Sequence, residues 1–477
     1  MVKELLEKKR NKNKDNMKEI VVIGAGLAGC EAALQVAKRK INVKLYEMKP
    51  HKFSDAHTSE NLAEIVCSNS FKSNLLTNAC GLLKEELRIL GSELIKIADE
   101  VSVPAGQALA VDRESFSKKV TEEIEKNEYI EVIREEVTQI PKDKIVIIAT
   151  GPLTSDKMYE EILKLTGKDN LFFYDAAAPI VEKDSIDMDI AFYGNRYEQE
   201  RRKDEDIEEW KSRLDSQEKS YINLPMNKEE YENFYNELIN AEVVTLHEFE
   251  KREIFEGCMP VEIMAKRGMD TLRFGPLKPV GFTDLRTGKR PYAIVQLRQD
   301  NKEATLYNIV GFQTNLKYGE QKRILSMIPG LNNANFVKYG VMHRNTFINS
   351  TFLLDNTYNM KTNRNIFFAG QITGVEGYVE SISSGLVAAI NACILYDLQD
   401  KDNKIEIFEK NKYVFSNETV IGALAEYIST PNEKFQPMNA NFGILPELNE
   451  KIKDKKARYT ELAKRALKML ENSEKNQ

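Results

Sequence analysis

The sequence predicts an α/β fold: a parallel sheet that the chain builds, leaves and rejoins, with an α+β domain inserted between and a helical tail after. Three observations predict it. A glycine-rich turn near the start joins a short apolar run to a helical pattern. The middle of the chain changes texture, to charged and alternating segments. A second apolar run ending in glycine then appears at 365–374, again followed by a helical pattern. With 477 residues there is room for two or three domains of ~100–200 residues each.

Element by element, residues 1–16 are rich in Lys and Asn and lack periodicity, which reads as a disordered leader or an alternative upstream start. KEIVVIGAG (18–26) has the form of a buried parallel strand, CEAALQVAKRK (30–40) of a helix with basic residues at its negative end, and INVKLYEM (41–48) of a second strand. That β-α-β unit predicts a doubly wound sheet. Residues 77–90 and 114–126 read as amphipathic helices, and 131–140 and 144–151 as strands. Between 184 and 335 a charged helical stretch (198–215) precedes the alternating strands YAIVQLRQ (292–299) and LYNIVGFQT (306–314). NIFFAGQITG (365–374) and a helix over 383–398 return to the opening pattern, so 17–183 and 336–435 form one discontinuous domain around an inserted 184–335. The tail, 436–477, ends in a Lys/Glu-rich helix with Tyr459, Leu462, Ala466 and Met469 on its apolar side.

Composition narrows the function. Lys and Arg number 68 against 74 Asp and Glu, so a nucleic-acid partner must be held by a local basic surface rather than by the field of the whole protein. No run approaches the ~20 consecutive apolar residues of a membrane-spanning helix, which argues against an integral membrane protein. Five cysteines in so long a chain do not make a disulfide scaffold, and the expected setting is a reducing, cytoplasmic one. No C-x-x-C or H-x₃₋₅-H spacing occurs, so no metal site is expected.

The turn Gly24-Ala25-Gly26-Leu27-Ala28-Gly29 carries the first chemistry. Gly24 permits a tight turn, Gly26 lets a pyrophosphate approach the backbone, and Gly29 brings helix and strand together. Glu47, about 20 residues on at the end of the next strand, is placed to accept hydrogen bonds from a ribose diol. Two further glycine turns, at Thr150-Gly151 and Gly370-Gln371, follow buried strands, and no second G-x-G-x-x-G opens a later helix. A long dinucleotide lying across one sheet edge fits this better than a separate nicotinamide domain, so the domain reads as Rossmann-like and FAD-binding. Cys67 lies in a polar stretch and Cys258 in a Gly-Met-Pro turn, the two better candidates for reactive thiolates. Cys30, Cys80 and Cys393 fall in apolar helical patterns and read as small core residues. Residues 266–290 hold Lys266, Arg267, Arg273, Lys278, Arg286, Lys289 and Arg290 against Asp270 and Asp284, and read equally as a mobile RNA-contacting loop or a solvated surface.

VIGAGLAG (22–29), LYEM (45–48), CSNS (67–70), ALAVDR (108–113), ATGPLTS (149–155), FYDAAAPIVEKDSID (173–187), FEGCMP (255–260), PYAIVQLRQDN (291–301), GFQTNLKYGEQKR (311–323), GVMHRNTFINS (340–350) and AGQITGVEGYVES (369–381) together resemble the folate- and FAD-dependent tRNA (uracil-5-)-methyltransferase family. The resemblance runs from about 18 to 430, and its similarity to the larger flavoproteins that modify the tRNA wobble uridine is confined to the FAD-binding parts. It implies transfer of a one-carbon unit from 5,10-methylenetetrahydrofolate, by way of FAD reduced with NAD(P)H, to C5 of a T-loop uridine. A sub-branch acts on a large-subunit ribosomal RNA uridine, and a small-molecule flavin oxidoreductase would use the same glycine turns. By resemblance Cys258 is the cysteine that attacks uracil and Cys67 the second active-site cysteine, while Glu376 and Gly377 join the FAD contacts. The leader and the charged insert near 198–218 exceed the family's usual length and read as surface features.

Overall fold

The computed structural model describes residues 19–474 apart from 55, 168–170, 177, 197–204, 217–220, 245–258, 285–286, 341 and 434. Its centre is a five-stranded, wholly parallel sheet. Labelled in chain order within this sheet, the strands are β1 (Ile20–Ile23), β2 (Val43–Glu47), β3 (Ile130–Arg134), β4 (Ile145–Ile148) and β5 (Ile366–Phe368). Their spatial order is 3-2-1-4-5, the order of a Rossmann half, with the switch point between β1 and β4. Strands buried on both faces read as continuous apolar runs: IVVI in β1 and IVII in β4 are buried throughout.

Helix α1 (Leu27–Lys38) follows β1, and α2 (Tyr378–Asp397) follows β5. The two pack against each other because small residues line the contact. A Cβ on Gly385 would stand 2.3 Å from the Ala28 carbonyl oxygen. Among the described residues α2 alone is long and apolar enough to cross a membrane, but it is a core helix, with Glu380, Ser383 and Asn391 buried alongside its apolar residues.

Between β4 and β5 the chain builds a second, six-stranded antiparallel sheet. Its spatial order is Phe192–Tyr193, Tyr221–Met226, Ala293–Gln299, Leu306–Ile309, Ile180–Glu182, Phe336–Lys338. Ile222, Leu224, Val295, Leu297 and Ile309 pack in its core with Phe234 and Leu238 of the helix Lys228–Asn240. The architecture is thus a Rossmann-like domain interrupted by an α+β insertion and followed by a helical tail.

Local departures from the sequence reading have identifiable causes. The strand expected over 131–140 stops at Arg134 because its partner β2 ends at Glu47, the residue paired with Arg134. The helix expected from residue 30 begins at Leu27, directly on the glycine turn, and the one expected from 383 begins at Tyr378. The strand Tyr221–Met226 has no alternating signature and contains Pro225, yet it pairs in register with Ala293–Arg298. In the tail helix Lys455–Glu474, Leu462, Ala463, Ala466 and Leu470 are buried while Met469 is only partly so, since Leu470 continues the i+4 row. The segment 266–290, read equally as a mobile RNA-contacting loop or a solvated surface, holds in its described parts the short helix Thr271–Phe274 and a turn bridging Asp284 to Lys289, after the helix Val261–Lys266.

One buried carboxylate ties the tail-side helices to the first domain. Glu86, on the helix Ala79–Ile89, accepts from Val420 N at 2.8 Å and Ile421 N at 2.9 Å, the first turn of the helix Val420–Tyr427. Burial pushes its carboxyl up to about 7, against the lowering effect of those two N–H groups. Ionisation therefore opposes folding: the stabilisation is complete below the unfolded value near 4.5 and is lost as pH rises through about 7. Glu86→Gln does not titrate, so its deficit relative to wild type in chemical denaturation should shrink between pH 5 and 8, by on the order of 3 kcal/mol. A pH-independent difference would count against the buried proton.

Candidate functional site

The carboxyl ends of the parallel strands open onto one crevice, of about 1140 Å³ including its solvent-facing mouth. Gly24–Ala28 form one wall, Glu47 a second, Thr150 and Gly151 a third, and Gly370 and Gln371 a fourth. Sequence-distant turns meet here because β1, β2, β4 and β5 are parallel neighbours whose ends align.

The three glycines of the turn play different parts. Gly24 has φ +99, and a Cβ there would lie 2.5 Å from the Ala149 carbonyl oxygen. Gly29 lies behind the crevice wall, where a Cβ would meet the Gly24 oxygen at 1.8 Å. Gly26 is the opposite case: a Cβ there would meet nothing within 4 Å and would project into open space. Gly26 also caps α1 without any side-chain hydrogen bond, leaving the positive end of the helix to whatever enters. Glu47 is oriented by two backbone donors, Ala25 N at 3.1 Å and Lys49 N at 3.0 Å. A carboxylate has about four acceptor sites, so capacity remains for a diol. These features fit a dinucleotide cofactor: an open cradle at Gly26, a helix N-terminus beside it, and a fixed carboxylate on the adjacent strand.

On the other side, Gln371 Nε2 donates to Glu376 Oε1 at 2.7 Å, and Gly377 forms the cap of α2. Glu376 and Gly377 thus stand behind the crevice rather than on its wall. Val66 and Tyr378 do line it. Cys67 follows Val66 directly, and the Tyr378 hydroxyl accepts from Cys67 N at 2.9 Å and Ser68 N at 3.1 Å. Burial raises the Tyr378 phenol, and the neighbouring Cys67 adds to that. Arg113 Nε pairs with Asp300 at 3.0 Å, and its Nη1 donates to the carbonyls of Ile65 and Val66, both at 3.2 Å. Burial works against the Arg113 charge, and Asp300 together with Tyr378 and Cys67 more than offsets it, so the guanidinium is held above its ordinary value.

Of the residues singled out from sequence, the glycine turns and Glu47 come together on the crevice wall, and Cys67 directly follows Val66, which lines it. Cys258 and Arg286 lie outside the described residues. Lys266, Arg267, Lys289 and Arg290 are exposed on the second domain. Arg273 in that segment is committed: it pairs with Asp270, donates to the Tyr292 carbonyl at 2.9 Å, and sits 3.6 Å from the centre of the Tyr292 ring. Cys30, Cys80 and Cys393 are buried in helices, and burial raises each thiol. No cluster of metal-ligating side chains occurs among the described residues. Sequence reading did not single out Tyr378, Arg113, Asp300 or Arg298. All four fall inside motifs quoted for the resemblance, but Arg298, in an alternating strand, looks like a solvated face until the Cys67 loop of the first domain packs on it.

A family profile described as Glucose inhibited division protein A matches residues 19–400. Full-length likeness is to proteins named methylenetetrahydrofolate–tRNA-(uracil-5-)-methyltransferase TrmFO. The one from Acetivibrio thermocellus is 59% identical, covering 94% of this chain and 97% of its own. The one from Fusobacterium nucleatum is 55% identical, covering 96% and 99%. The chain belongs to the folate- and FAD-dependent tRNA (uracil-5-)-methyltransferase family. Among solved structures, Aquifex aeolicus GidA has a similar fold, with a TM-score of 0.64 at 16% identity over 95% of this chain and 73% of that one. The fold likeness to that larger protein therefore extends across the inserted domain, beyond the FAD-binding parts to which the sequence reading confined it.

The glycine geometry makes a sharp contrast testable. Gly29→Ala should lose roughly 1–3 kcal/mol or more through overpacking against β1. Gly26→Ala should cost less than about 1 kcal/mol, as a cap substitution into open space. Denaturant titrations of the two variants would check this, and equal losses would contradict the placement of the turn.

Proposed function

We propose that this protein transfers a one-carbon unit from 5,10-methylenetetrahydrofolate to C5 of a uridine in the T-loop of tRNA, giving 5-methyluridine. The observation that carries the reading is the Gly24–Ala28 crevice with Val66, the residue before Cys67, on its wall, in a chain so similar over nearly its full length to proteins of that name. The relatives' names favour tRNA over ribosomal RNA as substrate. A tRNA substrate in turn implies a cytoplasmic setting.

The crevice would hold FAD through Gly24, Ala25, Gly26, Leu27, Ala28, Glu47, Thr150, Gly151, Gly370 and Gln371, with Gly29, Glu376 and Gly377 supporting from behind. Bound FAD, reduced by NAD(P)H, supplies a carrier for the one-carbon unit and the hydride that turns methylene into methyl. The chain's own part is to activate the pyrimidine. C5 of uracil becomes nucleophilic only when a thiolate adds at C6 and drives electron density toward C5 and O4. We assign that addition to Cys258. After the new bond at C5 forms, the C5 proton must leave before the sulfur is expelled, and Cys67 is placed beside the crevice to assist. The exposed basic residues Lys266, Arg267, Lys289 and Arg290, with Arg286, would hold phosphates. Phe274 among them is 81% exposed and offers a face on which an unpaired base can stack. The FAD domain we assign is the two flanking parts of the chain and the inserted domain lies between them, with boundaries near 180 and 338 rather than at 183/184 and 335/336, because Ile180–Glu182 and Phe336–Lys338 are strands of the inserted domain's sheet.

The deciding experiment incubates the purified protein with labelled methylenetetrahydrofolate, NAD(P)H and either unmodified tRNA or ribosomal RNA, and maps the labelled nucleotide. Label on a T-loop uridine is expected, and label only on ribosomal RNA would move the substrate. Cys258→Ala should abolish transfer while keeping the yellow flavin, whereas normal methylation by that variant would refute the thiol mechanism. Neutralising Lys289 and Arg290 together should weaken tRNA binding and lower the slope of log affinity against log salt by up to ~2. Binding curves unchanged at every salt concentration would return that segment to plain surface.

A further inference from the structure

The second sheet meets the first at the Cys67 loop, through consecutive residues at the end of one strand, Ala293–Gln299 and the residue after it. Arg298 donates from Nη2 to Ser68 Oγ at 2.6 Å and from Nε to Asn69 Oδ1 at 3.0 Å. The Gln299 carbonyl accepts from Asn69 Nδ2 at 2.8 Å. Asp300 holds Arg113, which grips the carbonyls of Ile65 and Val66. The loop is therefore clamped on both sides of Cys67 by the inserted domain, directly through Arg298 and indirectly through Asp300.

Arg298 is the unusual member. It is 8% exposed, and among the described residues it forms no ion pair. Both of its hydrogen bonds go to neutral oxygens, and Asp300 is committed to Arg113. Burial pulls its basicity down. A buried guanidinium without a carboxylate of its own is costly to keep, so it must give something in return. What it gives is geometry: two donors of one rigid plane fix the two residues that follow Cys67. A lysine, a single point charge on a flexible stem, does not reproduce that. Arg113, Lys338 from the strand Phe336–Lys338, and Tyr378 at the start of α2 also interact electrostatically with Cys67.

We propose that Arg298 is a positioning residue for the reaction: its fork fixes Ser68 and Asn69 and, through them, the Cys67 sulfur at the crevice, so that the inserted domain sets the placement of the thiol. This rests on the reading of Cys67 as an active-site cysteine.

The test uses the full-length, FAD-loaded protein and the variants Arg298→Met and Arg298→Lys. Flavin content, thermal stability, kcat and KM for tRNA are measured, together with the rate of Cys67 alkylation by iodoacetamide at one fixed pH, read by peptide mapping. Both variants should keep flavin and hold KM within about twofold, while kcat falls about tenfold or more and Cys67 alkylation changes by about fivefold or more. Full recovery of kcat by Arg298→Lys would reduce the role to charge and overturn the proposal, as would unchanged kcat and alkylation in Arg298→Met. If the Arg298 variants lose flavin or unfold, Ser68→Ala removes only the Nη2 acceptor and should move kcat and alkylation in the same directions; no movement there also overturns it. Should the wild type methylate no RNA, the functional reading fails, and the alkylation rates alone decide whether Arg298 positions Cys67.

Discussion

Backbone contact between the first turn of α1 and the end of β1 sets the geometry on which the rest of the molecule depends. With no side chain at Gly29 the helix lies against the Gly24 carbonyl, a distance that any Cβ would abolish. That closeness aims the N-terminus of α1 along the edge of the sheet and leaves the space beyond Gly26 open. It also brings Ala28 within reach of Gly385, so α2 can lie on α1. The position of α2 in turn carries Tyr378, whose hydroxyl receives the backbone of Cys67 and Ser68. A packing constraint between two backbones is thereby transmitted to the loop that bears the thiol.

The second constraint is electrostatic and comes from the inserted domain. Arg298 is buried and Arg113 largely so, and their charges are tolerated because the two guanidiniums make two and three hydrogen bonds within one compact cluster. Arg113 belongs to the first domain and Arg298 to the second, and they approach the same loop from opposite sides. Neither sheet alone would hold the segment 65–69, which has little regular structure apart from these bonds.

How far the sequence could be read follows from the range of each interaction. The β1–turn–α1–β2 unit is local: its glycines, apolar runs and Glu47 lie within about 30 residues, and each has a physical reason visible in the string. The return of the chain to the sheet at β5 was legible because a fully buried strand has to be apolar end to end. The strand Tyr221–Met226 was not legible, since Pro225 and Asn223 break the usual pattern; its pairing with Ala293–Arg298, and the Asn223 amide bonded to the Gly194 carbonyl, secure it instead. The basic segment at 266–290 looked uniform by composition. Folding separates it into Arg273, bound to its own domain, and the exposed lysines and arginines around it.

By itself, then, the sequence determined the parallel sheet, the glycine cradle and the family, because these depend on short-range sterics and on long contiguous motifs that need no partner to be recognised. Tertiary structure alone decided that Arg113, Asp300, Arg298 and Tyr378 converge on Cys67. Those residues lie up to a few hundred positions apart in the chain, and nothing in local periodicity distinguishes an arginine facing solvent from one that a second sheet will bury.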